Sequence, residues 1–529
     1  WMAAKIVDQW KPDWRVWLDF DQGKAAAFHL DALRSTHPIR AEVRNVEEAG
    51  EAFDLITYEK GGAVLRMIEG YLGEERFREG IRLYMRRHAK ANAVADDLWA
   101  ALGEASREPV VELANRWIRQ PGHPVVAVSR SGRTVHVRQE RFFSDPGATD
   151  EAGATWPVPM VLRYADAGGT RTHRVLLGAR EADVALPGEG EIAWVCANAG
   201  ATGFYRVAYD ADALRAITAS LGALAPAERI ALLSDEWALI RAGRREIGPF
   251  LDLCAAFGGE DDYAVLDELV GRLAYVEHRL VSEQDRPRLQ AFVARLLAPQ
   301  LAATGWDARA GEPDATRLRR AAAVRALGAV ARAPAVIREA TARLDRWLAG
   351  EHDALEPNLH DLAVHLTARA ADAARFDDFR RRFEQEKDPT FRRRYLLAPA
   401  AFEDAALARR AIDLGFAPEA VPLQDLTTYH AALLANRTAR DPAFERFRGE
   451  WPAIHARLAN APMLLRRVVE GLGALVERRH LEEAERFLGA HPIPEATQAI
   501  AQTLERLRQD VALRERTREP LARWLDANG

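Results

Sequence analysis

Only two of the 529 residues are cysteine, Cys196 and Cys254, which excludes a disulfide framework, and they lack the paired spacing of a thiolate zinc site. No apolar run approaches the ~20 residues that cross a bilayer, because arginine and glutamate interrupt each one, so a membrane-crossing helix is excluded. Neither sign of charge dominates: 73 basic and 78 acidic side chains leave a formal net charge of -5, no footprint for nucleic acid. The strongest basic cluster, Arg392-Arg393-Arg394, is answered by Glu384, Glu386 and Asp388, and no aromatics interleave with it to stack bases. The chain has no Gly-x-Ser-x-Gly elbow and no phosphate-cradling Gly-Lys-Ser/Thr loop, and neither cysteine has an adjacent histidine to activate it. Its fourteen histidines include no pair one helical turn apart around a glutamate. The nearest approach is His360 and His365, whose spacing turns the second side chain about 140° away from the first, so no metal site is assigned there. His37 precedes Pro38, which favours extended backbone, and reads as a turn histidine satisfied by local hydrogen bonds.

What is present is length, and more of it than one core serves, so two to four domains are expected. Up to about residue 120 the pattern is helical: Val64, Met67, Ile68, Tyr71 and Leu72 share one face, as do Phe77, Ile81, Tyr84 and His88. Asp96 is expected to cap a helix carrying Leu98, Trp99 and Leu102. At Pro121-Gly122-His123-Pro124 the period changes, and Val126, Val128, Val135 and Val137 alternate across a Ser131-Gly132 turn. Short apolar runs follow to Val195, as in a small β-sandwich. Thereafter Ala, Leu, Arg and Glu dominate in helix-length segments, with Ile337, Thr341, Leu344 and Leu348 forming one stripe. The predicted fold is multidomain and mainly α: 1–122 a helical part, 123–205 a β-sandwich, 206–529 an α-solenoid of helical repeats. The chain opens on Trp1 in sequence that already reads as structured, so it is expected to be a fragment, and its compartment stays open with a slight lean to the cytoplasm.

One segment stands out, Phe53-Asp54-Leu55-Ile56-Thr57-Tyr58-Glu59-Lys60-Gly61-Gly62. It resembles the Ser/Thr-Tyr-x-Lys-Gly segment of the aminopeptidase N and puromycin-sensitive aminopeptidase family of zinc metallopeptidases. The likeness extends to Leu33-Arg34-Ser35-Thr36-His37-Pro38-Ile39 upstream and to Tyr71-Leu72-Gly73-Glu74, Asn92-Ala93 and Asp97-Leu98-Trp99 downstream. Trp117-Ile118-Arg119-Gln120-Pro121-Gly122-His123-Pro124-Val125 is similar to the family's exit from its catalytic domain, and Gly203-Phe204-Tyr205-Arg206-Val207 to its sandwich-to-helix junction. Glu228-Arg229 and Leu233-Ser234-Asp235 are similar to its first helices.

The resemblance implies a thermolysin-like catalytic domain ending in helices, a sandwich, and a helical bowl that limits access to peptides with a free amino end. It also implies zinc held by two histidines and a glutamate, a second glutamate as general base, and a tyrosine that donates a hydrogen bond to the tetrahedral oxyanion. Tyr58 matches that tyrosine. The family's His-Glu-x-x-His helix, its third metal ligand and its Gly-x-Met-Glu-Asn amine-recognition loop would all precede Trp1, so no metal ligand is assigned here and the chain alone is expected to hydrolyse nothing. Lys60 is expected to pair with an acid near the site, and Asp54 to cap the following helix or orient the Tyr58 loop. The alternatives are a non-catalytic scaffold on the same architecture, and a relative of the leukotriene-producing epoxide hydrolase, against which the strand-rich stretch from Val125 to Val195 speaks.

Overall fold

A computed structural model of the chain describes residues 1–44 and 53–528. It divides into two compact units, Trp1–Ala256 and Phe257–Gly529. Among the described helices none is long and apolar enough to cross a membrane.

The first unit opens with helices α1 (Met2–Trp10) and α2 (Val16–Asp31). After the Tyr58 turn come α3 (Gly61–Leu72), α4 (Glu74–Arg87), α5 (Ala95–Ser106) and α6 (Val110–Arg119). Most of the predicted apolar face of α3 is buried: Val64, Met67, Ile68 and Leu72 are within the core, while Tyr71 is half-buried. The cap of α5 differs from the expectation. Asp97, not Asp96, reaches back to the Val94 amide at 2.8 Å, because a carboxylate three residues into a helix is the one placed to satisfy the cap N–H.

Helix gives way to sheet at Pro124, which cannot continue a helical ladder. Strands β1 (Pro124–Ser131), β2 (Thr134–Arg141), β5 (Glu181–Ala185) and β7 (Arg206–Tyr209) form one sheet in the order β5-β2-β1-β7. Strands β3 (Val158–Asp166), β4 (Gly169–Leu177) and β6 (Trp194–Cys196) form a second in the order β4-β3-β6. The β1–β2 hairpin closes as Ser131 opposite Thr134, with Gly132 at φ +56° supplying the left-handed first position of a two-residue turn. Buried Gln139 ties the sheets together: its amide nitrogen donates to the carbonyls of Trp156 and Ala179 at 2.8 Å each, and its oxygen accepts the Trp156 N–H. β5 and β7 are too short to have been picked out from alternation alone.

The second unit is helical throughout its described residues. Aspartates at the starts of successive helices cap them: Asp262 before Tyr263–Tyr275, Asp372 before Ala373–Gln385, Asp388 before Pro389–Leu397 and Asp404 before Ala405–Phe416 each accept backbone N–H groups of the first turn. One continuous core runs from Val324 to Val511 and includes Phe376, Phe379, Phe402, Phe444 and Trp451. The stripe at Ile337, Thr341, Leu344 and Leu348 lies on helix Pro334–Leu348.

Candidate functional site

Tyr58 sits in a single turn of π-helix, Ile56–Lys60, that feeds directly into α3; the Gly61 N–H closes it by donating to the Ile56 carbonyl. Such wide turns cost regular helix geometry and recur at functional sites. The ring is not part of the core: Tyr58 is 58% exposed and touches Phe53 at 5.8 Å between ring centroids. Its neighbours in the turn do the anchoring. Ile56, fully buried, packs with Leu30, Leu33 and Ile39.

The start of the turn is fixed by Asp54. One carboxylate oxygen accepts the Ile56 and Thr57 N–H groups at 2.9 and 3.0 Å, and the Asp54 carbonyl accepts the Tyr58 N–H at 3.2 Å. Asp54 thus both caps the helix and orients the Tyr58 turn. Its other oxygen meets His37 Nε2 at 2.7 Å, while His37 Nδ1 lies 2.9 Å from the Pro38 carbonyl. His37 is therefore the turn histidine expected, but one of its two partners comes from the Tyr58 segment.

The end of the turn is fixed by Lys60, fully buried, whose ammonium pairs with Asp31 at 2.9 Å and donates to the Gly122 carbonyl at 2.9 Å. Asp31, also fully buried, accepts from the Gly122 N–H at 3.0 Å and the Thr36 hydroxyl at 2.9 Å, and contacts His123 Nδ1 at 3.2 Å. Burial alone would raise the Asp31 carboxyl, but the Lys60 ammonium and the His123 hydrogen bond outweigh it and hold the group well below the usual carboxylate range. Burial pushes His123 down to about 4 despite Asp31, so the imidazole is neutral at pH 7. Gly122 has φ +84°, and a Cβ there would lie 2.7 Å from Arg141 Nε, so only glycine lets this backbone serve both members of the ion pair. Around His123 stand Phe28, Phe142 and Phe204, the first and last stacked at 4.2 Å.

The motif around Tyr58 and the segment at Gln120-Pro121-Gly122-His123 are thus parts of one buried construction. Sequence reasoning anticipated an acid for Lys60 but could not say which; Asp31 lies among the apolar residues of α2 with no motif to mark it. His123 stands in the catalytic-domain exit motif, whose spacing assigns it no role. Glu59 packs against α2 where a Cβ on Gly23 would come within 2.5 Å of its carboxylate, consistent with a packing role.

A zinc site needs three or four His, Cys, Asp or Glu donors. Among the described residues no group of three that could hold a metal ion comes together. His360 contacts the Leu355 carbonyl at 3.2 Å and lies tilted against Trp347, with Arg394 beside its other ring nitrogen, whereas His365 lines a concavity with Arg393 and Arg394. The described residues therefore do not fit a zinc centre.

Residues 1–117 match the peptidase family M1 domain, and residues 194–509 match the ERAP1-like C-terminal domain. Aminopeptidase M1-A of Oryza sativa subsp. japonica is 32% identical over 432 residues, 79% of this chain and 48% of that protein. Aminopeptidase M1 of Arabidopsis thaliana is 27% identical over 531 residues, 96% of this chain and 59% of that protein. The puromycin-sensitive aminopeptidase of Caenorhabditis elegans is 30% identical over 430 residues, 78% of this chain and 44% of that protein. The chain spans about half the length of the curated relatives it matches.

Proposed function

The chain belongs to the M1 family of peptidases, and on that premise we propose that it forms the C-terminal portion of a zinc-dependent aminopeptidase that removes N-terminal residues from peptides. Within it, Tyr58 donates a hydrogen bond to the oxyanion of the tetrahedral intermediate. The observation that carries this reading is the presentation of Tyr58: an exposed phenol on a turn whose other side chains are tied down at both ends.

A phenolic O–H is a donor without a charge of its own, and a donor stabilises a developing oxyanion only if it is already in place when the charge appears. A donor free to swing would have to be ordered during the reaction, at the expense of rate. Ile56 in its apolar seat, Asp54 at the start and Lys60 at the end remove that freedom from the Tyr58 backbone. Asp31, Lys60 and His123 are too deeply buried to meet a substrate, and they act as positioning groups. The zinc ligands are proposed, on the family resemblance, to lie in polypeptide outside this chain, and no catalytic step here is routed through the metal.

The test compares this chain with a polypeptide of the relatives' full length, by metal analysis and by hydrolysis of a fluorogenic aminoacyl amide. The longer polypeptide should contain zinc and cleave, and this chain alone should do neither. Bestatin-sensitive cleavage by this chain alone would contradict the division of labour, and a longer polypeptide that holds no zinc and cleaves nothing would favour the scaffold reading instead.

A further inference from the structure

The two anchors of the Tyr58 turn are joined by a dipeptide that the proposed function does not use. Thr36 donates to Asp31, which holds Lys60 at the end of the turn, and its neighbour His37 binds Asp54, which holds the start. The side chains of consecutive residues thus grip the turn from both ends.

The chemistry of the His37 contacts is unusual for a turn histidine. Nδ1 faces a carbonyl oxygen at 2.9 Å and Nε2 faces a carboxylate oxygen at 2.7 Å. Both partners only accept, and a neutral imidazole has one N–H. Two good hydrogen bonds therefore require the doubly protonated ring.

We propose that His37 and Asp54 are a positioning pair for Tyr58, an imidazolium–carboxylate brace that fixes the turn carrying the phenol. This rests on the reading of Tyr58 as oxyanion donor. Charge-assisted bonds are shorter and stronger than neutral ones, and here the brace is largely shielded, with the Asp54 side chain 3% and the His37 side chain 19% exposed. The Asp54 hydrogen bond raises the His37 pKa against the opposing effect of burial, and the Pro38 carbonyl adds to it. Among the described residues the charged groups that act on the ring are Asp54 and, through space, Asp31, itself matched by Lys60. The brace is thus lost as pH rises through the elevated His37 value.

Hydrogen exchange read by mass spectrometry on this chain tests the brace without any need for activity. In His37→Ala the peptide spanning residues 53–60 should exchange about ten- to a hundredfold faster than in the wild type, the loss of one charge-assisted bond, while peptides from the β-sheets keep their protection. Unchanged exchange in 53–60 overturns the proposal. If His37→Ala unfolds, His37→Gln serves, since its amide keeps one donor toward Asp54; intermediate protection is expected, and wild-type protection overturns the brace. In the catalytically competent longer polypeptide His37→Ala should lower kcat with KM held, and an effect on KM alone contradicts a positioning role. Full turnover by Tyr58→Phe would remove the oxyanion reading, while the exchange result on 53–60 still decides whether the brace exists.

Discussion

Lys60→Met removes the buried cation under the Tyr58 turn while keeping a flexible apolar stem of similar length. The wild-type ammonium is wholly inaccessible, 2.9 Å from Asp31 and 2.9 Å from the Gly122 carbonyl. Removing it leaves a fully buried carboxylate that keeps the Gly122 N–H, the Thr36 hydroxyl and His123, with no cation among these partners. Breaking a buried pair by deleting one partner costs about 3–5 kcal/mol. For a unit the size of Trp1–Ala256 each kcal/mol shifts the melting point by roughly 2–4 °C, so the variant should melt about 10 °C lower. Calorimetry, with near-ultraviolet circular dichroism as a second probe, reads this directly. The cause can be separated from a mere packing defect. Without Lys60 the Asp31 carboxyl loses what holds it low, so the deficit should shrink as pH falls from about 7 toward about 5 and Asp31 takes up a proton. Adding Asp31→Asn should likewise recover part of the loss. A deficit under about 1 kcal/mol, or one indifferent to both pH and Asp31→Asn, would refute the reasoning.

Other consequences are as definite. His123 and His430 are buried and pushed down to about 4, so each keeps the fold stable above an unfolded value near 6.5 and loses that contribution as pH falls through its folded value; chemical denaturation at pH 7 and pH 4.5 should differ by a few kcal/mol, and equal stabilities would contradict the burial of neutral rings. In the second unit, Arg320 is fully buried between Glu312 at 2.6 Å and Glu356 at 3.0 Å, so Arg320→Met should cost about 3–5 kcal/mol in urea titration, and a neutral result would count against the network. Gly80→Ala places a methyl 2.7 Å from Leu102 Cδ2 and 2.9 Å from its Cα, so α4 and α5 must part; a loss of about 1–3 kcal/mol in thermal melts is expected, and stabilisation would contradict the contact.

Much of the architecture was legible because it follows from period and punctuation. Val64, Met67, Ile68 and Leu72 repeat at helical spacing and are buried as predicted, and Pro124 marks the switch to strands. In the second unit the Ala/Leu/Arg/Glu-rich helix-length segments were legible, while the aspartate caps at Asp372, Asp388 and Asp404 emerge only from the structure. Shorter elements escape pattern: β5 and β7 carry too few alternating residues to register, and the cap of α5 falls at Val94 with Asp97, not Asp96, as its carboxylate partner, a difference that only the backbone resolves. The candidate site was legible as a motif and illegible as a construction. Tyr58, Lys60 and His37 are visible in the sequence, but Asp31 and His123 are partners through space, separated from Lys60 by tens of residues and marked by no spacing rule. The exposure of Tyr58 was likewise beyond reach of pattern, since an aromatic before a helix reads first as core.

The central claim is that Tyr58 serves the transition state and not the fold. Steady-state kinetics of Tyr58→Phe in a catalytically competent polypeptide of the relatives' length test it most directly. Loss of one preorganised donor should lower kcat about 100- to 1000-fold. KM and the melting point should stay close to wild type, since the phenol is exposed and its ring contact with Phe53 survives the change. Turnover equal to wild type would contradict the account.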